Sequence, residues 1–73
     1  MAKETVEVPI TGKIISIEAK VGDSVKEGDV ICFIESMKME NPILAPVSGK
    51  ITSLSVTVGQ VVEAGKPLAT IES

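Results

Sequence analysis

The sequence predicts an all-β fold: a flattened antiparallel barrel or sandwich made of two quasi-symmetric four-stranded halves. Three observations carry that expectation. Val, Ile and Thr dominate, and Gly or Pro recurs at short intervals, as in a chain of short strands and tight turns. The chain also repeats itself. A shift of 37 places Pro9 on Pro46, Gly12 on Gly49, Lys13 on Lys50, Ile14 on Ile51 and Ser16 on Ser53. It also places Val21 on Val58, Gly22 on Gly59, Val25 on Val62 and Gly28 on Gly65, and Ile34-Glu35-Ser36 on Ile71-Glu72-Ser73. That is twelve identities in the twenty-eight positions from Pro9 to Ser36, and a repeat fixes the architecture. Finally, 73 residues hold one domain, and a half of that size cannot bury an apolar face alone. The two halves, 1–36 and 38–73, must therefore pack on one another about an approximate two-fold axis. Almost no helix is assigned.

In order, Val6-Glu7-Val8 alternates as a short strand and Pro9 to Gly12 makes a bend. Lys13 to Lys20 is the next strand, with Ile15, Ile17 and Ala19 on one parity. Ile14, on the other parity, predicts a bulge near its start. Val25 is the inward residue of a very short strand between turns at Gly22-Asp23 and Lys26 to Asp29. Gly28 is suited to positive φ. Val30 to Glu35 is nearly all apolar and reads as an interior strand, and Pro42 to Ala45 as its partner. From Pro46 the pattern repeats. Cys32 aligns with Ala69, so it reads as a small core residue rather than a reactive thiol, and Phe33, aligned with Thr70, faces outward.

Composition excludes several functions. The chain lacks His, Trp and Tyr and has one Cys, so no Ser-His-Asp, Cys-His or zinc constellation can be assembled. A net charge of −3, a single aromatic residue and the absence of a basic stripe argue against nucleic-acid binding. The single cysteine fits a reducing compartment. No signal peptide is visible, and no apolar run approaches the roughly 20 residues of a membrane helix. The expectation is a soluble cytoplasmic protein with no direct membrane insertion.

One turn breaks the local rules. Between the two central strands lies Glu35-Ser36-Met37-Lys38-Met39-Glu40, with no Gly, Pro, Asn or Asp at its centre. A two-residue hairpin here would put Met37 and Lys38 at positive φ, which bulky residues seldom adopt. Such breaks gather at functional sites. The turn stands at the junction of the two repeats, so its counterpart is the pair of chain ends, Met1 and Ser73. The termini should lie at one end of the body and Lys38 at the other. An exposed lysine between two thioethers offers a flexible amine for attachment beside an adaptable apolar surface. A solvated surface lysine is the plain alternative. Glu35 and Glu40 are not a catalytic pair, because no cleft or partner is implied.

The run Glu35 to Glu40 resembles the attachment motif of biotinyl domains, the biotin carboxyl carrier family, whose usual form is Ala-Met-Lys-Met. Ala45-Pro46-Val47-Ser48-Gly49 is similar to the family's Ala-Pro-x-x-Gly. Gly22-Asp23-x-Val25-x-x-Gly28 and Gly59-Gln60-x-Val62-x-x-Gly65 are similar to its two turn signatures. The resemblance runs from about Val6 to Glu72 and implies a barrel-sandwich hybrid. It further implies that a biotin protein ligase joins biotin to Lys38. The domain would then carry carboxybiotin between biotin carboxylase and carboxyltransferase sites of a carboxylase, transcarboxylase or decarboxylase, without catalysing a reaction itself. Met37 and Met39 would be the flanking recognition residues, and Glu35, Ser36 and Glu40 candidate ligase contacts. Ser36 departs from the usual Ala. No extra loop lies between Lys13 and Val30, so the "thumb" of some bacterial members is missing. A free-standing carrier and the C-terminal domain of a longer subunit both fit. The alternative cargo is lipoate, although in lipoyl domains the lysine usually follows Asp and precedes Ala. An unmodified module for protein contacts is the reading from another class.

Overall fold

The computed structural model describes residues 2–73, and every described element is a strand or a turn. Eight strands form: β1 (Lys3–Glu7), β2 (Gly12–Ile17), β3 (Ser24–Val25), β4 (Val30–Ser36), β5 (Met39–Leu44), β6 (Gly49–Leu54), β7 (Val61–Val62) and β8 (Pro67–Glu72). They make two antiparallel four-stranded sheets, ordered β1-β8-β6-β3 and β5-β4-β2-β7. Adding 37 to a residue number carries β2 onto β6, β3 onto β7 and β4 onto β8. The same shift exchanges the two sheets, since β1-β8-β6-β3 corresponds strand for strand to β5-β4-β2-β7. The halves are therefore not stacked as two layers. Each sheet takes two strands from each half, so neither half has a complete sheet without the other.

The core shows why the repeat folds this way. Its buried apolar residues fall into pairs related by the shift: Val6 with Ile43, Val8 with Ala45, Ile14 with Ile51, Ala19 with Val56, Val25 with Val62, Ile31 with Leu68, Cys32 with Ala69, and Ile34 with Ile71. Each large member contributes about 2 kcal/mol by leaving water. Main-chain bonds that cross between the halves are duplicated as well. Gly22 N donates to Ile51 O and Gly59 N to Ile14 O, at 2.8 and 2.7 Å. Gly28 N donates to Ala45 O and Gly65 N to Val8 O, at 2.9 and 2.8 Å. Gly28 has φ 93°.

The bulge expected near Ile14 is present, with the β2–β4 register shifting between Ile14 and Ser16. It takes Ile15 out of the inward set, while Ile17 still packs against the core and Ala19 is buried. Ile14 is fully buried and Ile15 only half-buried, because Ile15 is the extra residue. The strand also stops at Ile17, short of Lys20. Glu18 N and Ala19 N both donate to the carbonyl of Ile31, so the chain turns off the ladder there. Strand β5 begins at Met39, three residues before the expected Pro42. Pro42 is tolerated because β5 is a sheet edge, where its missing N–H breaks no ladder bond. At the other end of the repeat, Ser73 N donates to Ala2 O at 2.9 Å. Met1 lies outside the described residues. The molecule is elongated, 37 × 18 × 17 Å.

Candidate functional site: the β4–β5 hairpin

Strands β4 and β5 pair in register from Cys32↔Ile43 to Ser36↔Met39. Only Met37 and Lys38 remain to close the hairpin. Their φ angles are 55° and 66°, and positive φ at both central residues is the mark of a type I′ turn. They are the only described residues other than glycine with positive φ. The turn twists in the sense of the strands, which keeps the register tight, but two bulky side chains hold a left-handed conformation that costs about 1 kcal/mol each. Met37 is 92% exposed and Met39 66%. Lys38, Glu35 and Glu40 are exposed, and Ser36 is half-buried.

Two features brace the strained turn. Asn41 sits opposite Ile34, and its side-chain Nδ2 donates to Met39 O at 3.1 Å and to Ile34 O at 3.4 Å, tying the strands together just below the tip. Gly12, on the adjacent β2, lets that strand approach β4 closely. A Cβ there would fall far inside contact distance of the Glu35 carbonyl oxygen and 2.5 Å from Ile34 Cγ2. No local motif in the sequence marks Asn41. The available signal was its departure from the repeat, where Glu4 is its counterpart.

The sheet also sets the local charges. Glu35 and Glu40 face each other across the hairpin, and Lys13 lies beside Glu35 on β2. The equivalent row of the other sheet is Lys50, Glu72 and Lys3, so one lysine there is a glutamate here. Like charges directly opposite are unfavourable, which leaves the row below Lys38 acidic. Two surface concavities, of about 340 and 300 Å3, are lined by none of residues 35–40. The hairpin therefore presents its lysine outward rather than enclosing a ligand. No His/Cys/Asp/Glu group among the described residues is arranged to hold a metal ion. Burial pushes the Cys32 thiol up to about 11, so it is a core residue and not a nucleophile. No helix of the described residues is long and apolar enough to cross a membrane.

A strained, exposed, two-residue turn with lysine at its second position thus closes one hairpin of a doubled antiparallel sandwich. The comparisons give the family. The model described as "Biotin-requiring enzyme", which spans biotin and lipoyl attachment, matches residues 4–71. The chain belongs to this family and is a biotinyl domain of the kind found in biotin-dependent enzymes. It is 50% identical over 40 residues to the glutaconyl-CoA decarboxylase subunit gamma of Acidaminococcus fermentans, covering 55% of this chain and 28% of that one. It is 45% identical over 42 residues to the methylmalonyl-CoA decarboxylase subunit gamma of Veillonella parvula, covering 58% and 33%. Among solved structures, the urea carboxylase of Kluyveromyces lactis superposes with a TM-score of 0.91 at 36% identity, covering 99% of this chain and 6% of the carboxylase. The chain thus spans about a third or less of these relatives.

Proposed function

We propose that Lys38 is the residue that receives biotin, and that the domain is a non-catalytic carrier. The observation that carries this reading is the placement of Lys38. In a chain of the biotin-requiring family, it occupies the second position of an exposed type I′ hairpin that ordinary turn chemistry would not choose. The residues fit the group. The amine stands at the tip of a braced hairpin, clear of the body and flanked by two exposed thioethers. After losing a proton, the ε-amine of Lys38 attacks the acyl carbon of the acyl-adenylate that a biotin protein ligase forms. The amide C–N bond forms and the acyl–phosphate C–O bond breaks. AMP departs with the electron pair, and the second ammonium proton goes to solvent. Met37 and Met39 give the ligase an adaptable apolar contact.

When bound, the group supplies a carrier for an activated carboxyl. The chain's part is to hold the attachment point rigidly at one site and present it to successive enzymes, a biotin carboxylase and a carboxyltransferase. Tethering replaces diffusion with a high effective concentration. The relatives support this reading, because the matching segment is a small part, 28% and 6%, of a decarboxylase subunit and of a urea carboxylase.

The test is intact-mass measurement after incubation with ligase, ATP and biotin. One biotin is expected on the wild-type chain and none on Lys38→Arg. A Lys38→Arg chain that still gains biotin refutes the assignment. Parallel incubation with a lipoate ligase and lipoate decides the cargo, since the two add different masses.

A further inference from the structure

The internal symmetry supplies a control within the molecule, because each position on the outer face of one sheet has an equivalent on the other. On the sheet that carries the hairpin, three rows face outward: Glu40–Glu35–Lys13–Val61, then Pro42–Phe33–Ser16, then Leu44–Val30. The equivalent rows of the other sheet are Lys3–Glu72–Lys50–Ser24, then Thr5–Thr70–Ser53, then Glu7–Pro67. Lys13, Glu35 and Ser16 are matched by identical residues. Apart from Glu40 against Lys3 and Val30 against Pro67, the differences run one way. Pro42, Phe33, Leu44 and Val61 stand where the other sheet has Thr5, Thr70, Glu7 and Ser24. Val61 is 69% exposed and Leu44 47%, although the same fold accepts polar residues at the equivalent places. The core does not require these side chains to be apolar.

We infer that this outer face, on β5-β4-β2-β7, is the surface on which the enzyme that acylates Lys38 docks. The inference rests on the proposed attachment at Lys38. Three observations select that occupant. The face is continuous with the site, because β4 and β5 run directly into Met37 and Lys38. The unmodified amine is reached only by an enzyme pressed against the hairpin and the sheet beside it, whereas a loaded arm reaches into a distant site. The size also fits a transient encounter. Three strands about 20 Å long and a two-residue fourth, about 4.8 Å apart, give a face of roughly 300 Å2. A stable dimer buries about 800 Å2 per partner. Glu35 and Glu40 face each other at the end of this surface nearest the tip, so the matching patch on the enzyme is apolar with a cation at that end.

The experiment exchanges each apolar residue for the one the other sheet uses. Phe33→Thr, Leu44→Glu and Val61→Ser are made together, and Leu44→Glu and Val61→Ser also singly in case the triple variant folds poorly. Biotin gain is followed by intact mass with catalytic ligase and subsaturating carrier. The expected result for the triple variant is a roughly tenfold fall in kcat/KM, carried mainly by KM, with one biotin still reached at completion. Each single variant should show a smaller fall in the same direction. The reverse exchanges on the polar sheet, Ser24→Val and Thr70→Phe, should leave the rate unchanged; Glu7 is not used, because it lines one concavity with Pro42 and Leu44. Rates within twofold of wild type in the folded single variants overturn the inference and leave the Lys38 assignment standing. So does a wild-type dimer in sedimentation that dissociates in the Leu44→Glu variant. A wild-type chain that gains no biotin overturns both.

Discussion

Replacing Met37-Lys38 by Asn-Gly should make the domain more stable while removing its function. Both residues have positive φ, 55° and 66°, and an L side chain other than Asn or Asp pays about 1 kcal/mol or more in this region. Asn and Gly adopt it readily. Relief at two positions amounts to roughly 2–3 kcal/mol. Glycine returns roughly 0.5–1 kcal/mol of that through the greater freedom of the unfolded chain. A net gain of about 1–2 kcal/mol remains. For a 73-residue domain, unfolding entropy near 2.1 cal/mol/K per residue makes 1 kcal/mol worth about 6–7 °C. The double variant should therefore melt about 7–13 °C higher by circular dichroism or calorimetry, and Met37→Asn alone about half as much. A rise below about 2 °C in the double variant refutes the claim that the turn is strained. The single variant keeps Lys38 and separates strain from attachment. If biotin gain falls with Met37→Asn while stability rises, the thioether acts in recognition and not in folding.

Other consequences follow from specific contacts. Gly12→Ala and Gly49→Ala each drive a Cβ into the neighbouring strand, the latter to 2.6 Å from Glu72 O. Both should cost about 1–3 kcal/mol in urea unfolding, but only Gly12→Ala, beneath the hairpin, should also slow modification of Lys38. Asn41→Ala removes the two bonds that tie the strands. It should cost about 1 kcal/mol, with faster amide hydrogen exchange in the hairpin than elsewhere. Cys32 has its folded pKa raised from 9.0 to about 11, so the proton is held more tightly in the folded state. Its contribution to stability is full below pH 9 and is lost as pH rises towards 11. The urea midpoint should fall less steeply over that range in Cys32→Ala than in wild type, and an equal slope in the two proteins refutes the assignment.

The parts of the fold legible in the sequence are those written by side-chain identity. Cys32 was placed in the core by its alignment with Ala69, and both are buried. Val25, one apolar residue between two turns, is the inward residue of a two-residue strand. The irregular turn at Met37-Lys38 was legible because every neighbouring turn uses Gly or Pro, which leaves positive φ at bulky residues as the remaining way to close a two-residue hairpin. What escaped was set by partners distant in sequence. Strand β5 starts at Met39 because β4 offers a ladder down to Ser36, although Glu40, Asn41 and Pro42 are poor strand formers. Ile14 signals the bulge in β2, but not that Ile15 is the extra residue while Ile17 and Ala19 stay inward; that follows from pairing Ile14 with Ile34, which no local pattern contains. The interleaving of the halves was hidden for the same reason. A repeat states that two units are equivalent, not which strands of each will be neighbours.

That interleaving bears on how such a domain can carry a group. A carrier must hold its attachment point still while its surface meets more than one enzyme, and a domain this small has little core to supply rigidity. Here each sheet is completed by strands of the other half, so opening one half removes two strands from both sheets and unpairs every member of the paired core. Partial opening near the hairpin is therefore costly, and strain at Met37 and Lys38 is carried by the whole molecule instead of by a loose end. The duplication also separates tasks. Positions that both halves share, such as Ile14 with Ile51 and Gly12 with Gly49, serve folding, because both ends of the molecule need them. Positions where the halves diverge, such as Asn41 against Glu4, Glu40 against Lys3, and Phe33 against Thr70, are free of that shared constraint. On the sheet that bears Lys38, Asn41 ties the strands beneath the turn and Glu40 faces Glu35 across them, so these divergences set the bracing and the charge around the hairpin.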